Sequence, residues 1–181
     1  WDESEMSYDF DKHPLCKLGT SRIEIAAEKW KERIIERKQE LGRCEKRINL
    51  LVREIFQVSE VEKELKDTQE SVPSEIIIAK SLLSYFVGWS LGRYSLEKDG
   101  VQEPGSAGRF LMASQSESKD DIMKQLERFL TQSFGEEDLE ENLSWIAQAL
   151  GCRYNETVRQ RIRRYFQEDF FEDHKKQYCD P

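Results

Sequence analysis

Five arginines, Arg153, Arg159, Arg161, Arg163 and Arg164, stand close together with Glu156 as the only acid among them, a local excess of +4 on a chain whose net charge is −8. Guanidinium groups grip phosphate oxygens in pairs, so such a run can hold a nucleic-acid backbone. On a helix Arg159 and Arg163 share one face and Arg161 and Arg164 another, on either side of the apolar positions from Ile162 to Phe166. These four arginines are the candidates for DNA-backbone contact. The competing reading is a solvated face paired with the acidic segment before it.

Other reactive groupings are sparse. His13-x-x-Cys16 and His174-x-x-x-x-Cys179 offer zinc donors by type, but they lie at opposite ends of the chain and the second spacing fits neither a knuckle nor a helical face. Free thiols and surface histidines are the better reading, and no metal or catalytic residue is assigned. There is no G-x-S-x-G, no Walker loop and no adjacent prolines, and Gly105-Ser106-Ala107-Gly108 follows no strand. Glu136, Glu137, Asp138, Glu140 and Glu141 suit the start of a helix, where the dipole favours negative charge.

The elements that would position these residues are helical. The chain has 181 residues, 35% of them charged, with 9 Gly and 4 Pro, and no period-two apolar run. The net charge excludes a wholly basic nucleic-acid coat or a polybasic membrane anchor. Four cysteines without a C-x-x-C or a signal peptide point to a reducing compartment, the cytoplasm by default. A start at Trp1 and an end at Asp180-Pro181 read as a piece of something longer.

Thr20-Ser21-Arg22-Ile23-Glu24 carries a capping-box pattern, with Ser21 and Glu24 reciprocal, so a helix should start at Arg22. Ala27, Trp30, Ile34, Leu41, Cys44, Ile48, Leu51, Ile55 and Val58 then follow steps of three and four, broken only at Arg37. The spacing predicts a helix over 20–70, about 50 Å long or more, with one apolar seam that requires a partner helix. Ser71-Val72-Pro73-Ser74 breaks it. A second helix over 75–95 is apolar on its whole circumference and should form the centre of the domain. Its window from Ile76 to Gly92 includes Lys80 and falls short of the roughly 20 residues a membrane span needs, so no membrane role is expected. Gly88 and Gly92 are spaced to admit a neighbouring helix closely.

Residues 96–118 read as a long loop, and 119–178 as three helices. Ser118 caps the first of these and Gly135 closes it. Glu136 to Asp138 open the next, which ends at Gly151, and Asn155 caps the last, which runs through Val158, Ile162, Tyr165, Phe166 and Phe170. The fold expected is all-α, about five helices, with a long heptad-patterned helix packed with a buried central one.

Several stretches, taken in order, resemble one family. They are Ser7-Tyr8-Asp9-Phe10-Asp11-Lys12-His13-Pro14-Leu15, Leu83-Ser84-Tyr85-Phe86-Val87-Gly88, Gly92-Arg93-Tyr94-Ser95-Leu96, the run from Phe134 to Leu143, and Tyr165-Phe166 through Phe170-Phe171-Glu172-Asp173-His174. Together they resemble the C-terminal half of the adenine-specific DNA methyltransferases of the BREX phage-defence system, of the PglX type, and related fused restriction-modification enzymes. The likeness is weakest across 96–118, where such proteins have a longer segment. Tyr85, Gly88, Gly92, Arg93 and Tyr94 are the motif positions it marks as structural.

The resemblance implies a parent that moves a methyl group from S-adenosylmethionine to an adenine amine in DNA, with its catalytic Asn- or Asp-Pro-Pro-aromatic loop and cofactor site upstream of the matching region. This chain would then be a helical spacer: 1–19 a linker from the upstream methyltransferase domain, and 20–181 a domain joining it to a downstream target-recognition region, with duplex DNA a further partner. Base extrusion requires the duplex to be held on both sides of the target, which a rigid spacer helps supply. The alternative is a protein-interaction module that docks a defence-system partner or inhibitor.

Overall fold

The computed structural model describes residues 5, 7, 9–57, 72–101 and 121–179. Among these the chain is all-α: α1 is Pro14–Lys17, α2 Ile23–Phe56, α3 Glu75–Ser90, α4 Asp121–Phe134 and α5 Leu139–Ala149. Then α6, Val158–Arg164, runs through a π-helical turn, Tyr165–Asp169, into α7, Phe170–Cys179. No strand occurs among the described residues, where an isolated antiparallel bridge joins Tyr94 and Val101. The possible extension over 58–70, the loop beyond Val101 and the Ser118 cap lie outside the described residues.

Two compact units divide the chain, one of Trp1–Ala27 with Ser74–Pro181, the other Glu28–Pro73. The first holds the core. Its α3 buries Ile78, Leu82, Leu83, Tyr85 and Phe86 against α4 and α5, whose Leu126, Phe129, Leu130, Leu143 and Ile146 recur at helical spacing and are fully buried. The first turn of α3 departs from the expected all-round burial, with Ile76 and Ile77 exposed. Residues 9–18 do not behave as a linker, because Phe10, His13 and Leu15 are core residues.

Helix ends show which polar groups govern the path of the chain. α3 stops at Ser90, five residues before the predicted end, in a paired closure: Gly92 N–H donates to Trp89 O at 2.9 Å and Arg93 N–H to Gly88 O at 2.8 Å. Such a closure needs a left-handed residue after the cap, and Gly92 has φ +76°. Gly135 and Gly151 end α4 and α5 as expected, with φ of +94° and +82°.

Two predicted caps are replaced. Thr157, not Asn155, caps α6, accepting from Gln160 N–H while the Gln160 side chain accepts from Thr157 N–H. The Ser21–Glu24 box does not form. Ser21 Oγ instead donates to Asp138 at 2.5 Å, Glu24 pairs with Arg22, and the Ile23 amide donates 2.8 Å to Oδ1 of Asn142 on α5. Asn142 Nδ2 donates back to Ser21 O at 2.8 Å, so one buried side chain from 119 positions away caps α2.

The second unit contains the part of α2 beyond Ala27. Over its 34 residues α2 is about 51 Å long. Its seam past Ile34 is exposed, with Leu41, Ile48, Leu51 and Ile55 on the surface.

Candidate functional site

Three of the motif stretches, those around Phe10, Tyr85 and Tyr94, meet in one buried knot, and the last, from Tyr165 to His174, packs on the same helix α3. Tyr85 and Tyr94 stack with ring centroids 4.8 Å apart, and Phe10 presents its edge to both, at 5.9 and 5.5 Å. Aromatic pairs of this kind add about 0.5–1.5 kcal/mol each beyond their burial. The Tyr94 ring lies so close to α3 that a Cβ on Gly88 would stand 2.5 Å from its Cε2. Gly88 therefore does admit a close approach, but of a ring from the chain just beyond the helix rather than of a neighbouring helix. Gly92 makes the turn that brings the ring back, and the Arg93 guanidinium sits 5.2 Å from the Tyr94 centroid. The five marked positions are thus one packing arrangement.

Polar contacts stitch the knot. Gly100 N–H donates to Asp11 O at 2.9 Å, Lys12 Nζ donates to Leu96 O at 2.8 Å, and Lys17 pairs with the Asp11 carboxylate. Lys80 on α3 meets Asp173 on α7 at 2.8 Å, and the Phe170 ring stacks on His174 at 5.3 Å. The π-helical turn, closed by Phe170 N–H on Tyr165 O, inserts one extra residue in its turn and sets Phe166 against Phe86 at 5.9 Å.

Two Ser–His contacts have the separation of a nucleophile and its base, and neither has the proton arrangement. His13 Nδ1 accepts from Leu15 N–H at 3.3 Å, so its proton is on Nε2, which donates to Ser81 Oγ at 3.1 Å. Ser81 Oγ in turn donates to Ile78 O at 2.9 Å. A base would have to accept from the serine, and this imidazole donates to it. Burial holds His13 down to about 3, which keeps it neutral. The second contact joins Ser84 Oγ to His174 Nδ1 at 3.3 Å, but that hydroxyl donates to Glu5 at 2.9 Å.

The zinc grouping fares likewise. His13 is a buried helix cap rather than a surface histidine, with both ring nitrogens engaged, and burial pushes the Cys16 thiol up to about 12. No cluster of three metal-ligating side chains occurs among the described residues. The side chain of Cys179 lies outside them.

The four candidate arginines are on one continuous helix, and all four have interactions within the chain. Arg159 forks onto Glu140 at 2.5 and 3.0 Å and reaches Glu127 at 2.8 Å, the pairing with the acidic segment named above. Arg164 binds Glu156 through two hydrogen bonds at 2.6 and 2.8 Å and holds that carboxyl down to about 2. Arg161 is buried, its Nε and Nη2 donating to Leu150 O at 3.1 and 2.5 Å. It satisfies a carbonyl at the C-terminal end of α5, where the dipole favours a cation, and cannot face a phosphate from there. Arg163 is half-exposed on the same helix and also has interactions within the chain. Asn142, Ser81 and the buried role of His13 escaped the sequence reading. The remote partners of Asn142 and Ser81 leave no local pattern, whereas His13-Pro14 does resemble a helix start.

No described helix is long and apolar enough to cross a membrane. No protein-family model matches the chain. Over 98% of its length the chain is 29% identical to the adenine-specific methyltransferase PglX of Lacticaseibacillus casei (strain Zhang), and over 98% it is 27% identical to the adenine-specific methyltransferase BrxX of Escherichia coli O9:H4 (strain HS). It spans only 17% and 18% of those curated relatives. The resemblance carried by the motifs therefore extends along nearly the whole chain, which is similar to one stretch of the BREX adenine-specific methyltransferases PglX and BrxX.

Proposed function

We propose that this chain is a helical positioning part of a site-specific adenine DNA methyltransferase, holding the catalytic and target-recognition parts of the parent at a fixed separation on duplex DNA. The observation that carries this reading is the convergence of the motif residues on a packed knot: Phe10, Tyr85, Gly88, Gly92 and Tyr94 are used to lock the end of α3. Residues engaged in this way act on geometry. S-adenosylmethionine would be bound by the parent's upstream part, and the adenine would be methylated there. A second reading, docking of a helical partner, is favoured by the exposed seam of α2.

The test is calorimetry with S-adenosylmethionine on the 181-residue chain and on a parent protein with and without it. The positioning role predicts cofactor binding by both parent forms, none by the chain, and loss of DNA methylation when the chain is removed. Binding of the cofactor by the chain itself would overturn it, as would full methylation by the shortened parent.

A further inference from the structure

The exposed seam of α2 carries a charge pattern that selects its partner. Leu41, Ile48, Leu51 and Ile55 are 62, 56, 49 and 71% exposed, and Gly42 has nothing within 4 Å of where a Cβ would stand. Long helices owe most of their stability to packing, and a mid-helix glycine adds to the need for it. Taking Ile34, Leu41, Ile48 and Ile55 as heptad positions a, with Trp30, Arg37, Cys44 and Leu51 as d, places Arg33, Glu40, Arg47 and Glu54 at g. Lys31, Lys38, Glu45 and Val52 fall at e.

A parallel copy in register sets each g against the next e of its partner. Arg33 then faces Lys38, and Glu40 faces Glu45, both like-charged. An antiparallel copy sets g against g and e against e. With Leu41 opposite the partner's Cys44, Arg33 faces the partner's Glu54, Glu40 the partner's Arg47, and Lys38 the partner's Glu45. Every flanking charge pair becomes attractive, and Ile34 meets the partner's Leu51 in the seam. The pattern is self-complementary in one orientation only.

We propose that α2 associates with α2 of a second copy of this chain as an antiparallel coiled coil centred between Leu41 and Cys44. Arg37 falls opposite the partner's Ile48, in the layer next to the central pair on each side, where its charge fixes the register at some cost in affinity. The association would bring two parent proteins together through a part outside their catalytic regions.

Sedimentation equilibrium of the 181-residue chain up to about 0.5 mM, with circular dichroism to confirm helix content, tests this. The expected result is a dimer that Leu51→Asp abolishes. Glu40→Lys should raise its Kd about tenfold, and Glu40→Lys with Arg47→Glu should bring it back to within about threefold of the unsubstituted chain. A monomer at every concentration would overturn the proposal and assign the seam to another protein or another segment of the chain. A dimer tightened by Glu40→Lys would be parallel, and one indifferent to Leu51→Asp would use another surface; either result also overturns it.

Discussion

Asn142 is the residue on which the start of the longest helix depends, and Asn142→Ala removes both of its bonds at once. The Ile23 amide, 2.8 Å from the side chain, would be left where water has little access, since Ile23 is fully buried and Asn142 is 1% exposed, and the carbonyl of exposed Ser21, also 2.8 Å away, would lose its partner. A buried polar group without a partner costs about 1–3 kcal/mol, and loss of a helix cap about 0.5–2 kcal/mol. The combined loss is about 2–4 kcal/mol. With a urea dependence of about 2 kcal/mol per molar, the middle of the usual range, the denaturation midpoint should fall by about 1–2 M. Hydrogen exchange gives a local readout, because the Ile23 amide should lose its protection first. Asn142→Asp keeps the acceptor, adds a charge favoured at a helix N-terminus, and loses only the bond to Ser21, so it should cost clearly less. A midpoint for Asn142→Ala within about 0.3 M of the unsubstituted chain, with Ile23 still protected, would mean that the start of α2 does not depend on Asn142.

His13 has its ordinary pKa of 6.5 in the unfolded chain and about 3 when buried, so the unfolded state binds the extra proton between those values. Stability from this group is complete above about pH 6.5 and declines as pH falls toward about 3; His13→Asn, which can still cap α1, should flatten that slope in urea titrations. Gly88→Ala places a Cβ against the Tyr94 ring and should lower the melting temperature, whereas Gly42→Ala meets open space and should raise it. Cys16, its thiol raised to about 12, should react with iodoacetamide at least about tenfold more slowly than exposed Cys44 and Cys152, as followed by mass spectrometry of the alkylated peptides.

The parts of the fold that were legible are those written in local spacing. The steps of three and four from Ala27 gave α2, and Gly135 and Gly151 gave the ends of α4 and α5 because a left-handed residue after a helix is a local requirement. What was hidden depends on distant partners. Ser21 and Glu24 make a plausible box, and a buried asparagine from α5 displaces it because it satisfies two backbone groups where Ser21 would satisfy one. The π-helical turn left no trace, since Tyr165, Phe166 and Phe170 read as one helical stripe with or without an extra residue. The arginine run was visible as charge, but charge does not tell which guanidinium is turned inward to Leu150 O. The marked tyrosines were found by resemblance alone, whereas Gly88 and Gly92 also stood out by their spacing, and the close approach of the Tyr94 ring to Gly88 supplies the physical reason.

In the proposed function these motif residues hold geometry and supply no reacting group. Tyr85 tests it most directly: its ring is fully buried in the knot, and its hydroxyl makes no hydrogen bond among the described residues. In a parent methyltransferase containing this chain, adenine methylation of substrate DNA should be measured for Tyr85→Phe and Tyr85→Ala beside the unsubstituted enzyme. Methylation should be unchanged for Tyr85→Phe, which keeps the stacked ring, and both folding and methylation should be lost for Tyr85→Ala. A folded Tyr85→Phe enzyme that no longer methylates DNA would contradict that role, because the phenol itself would then take part in the reaction.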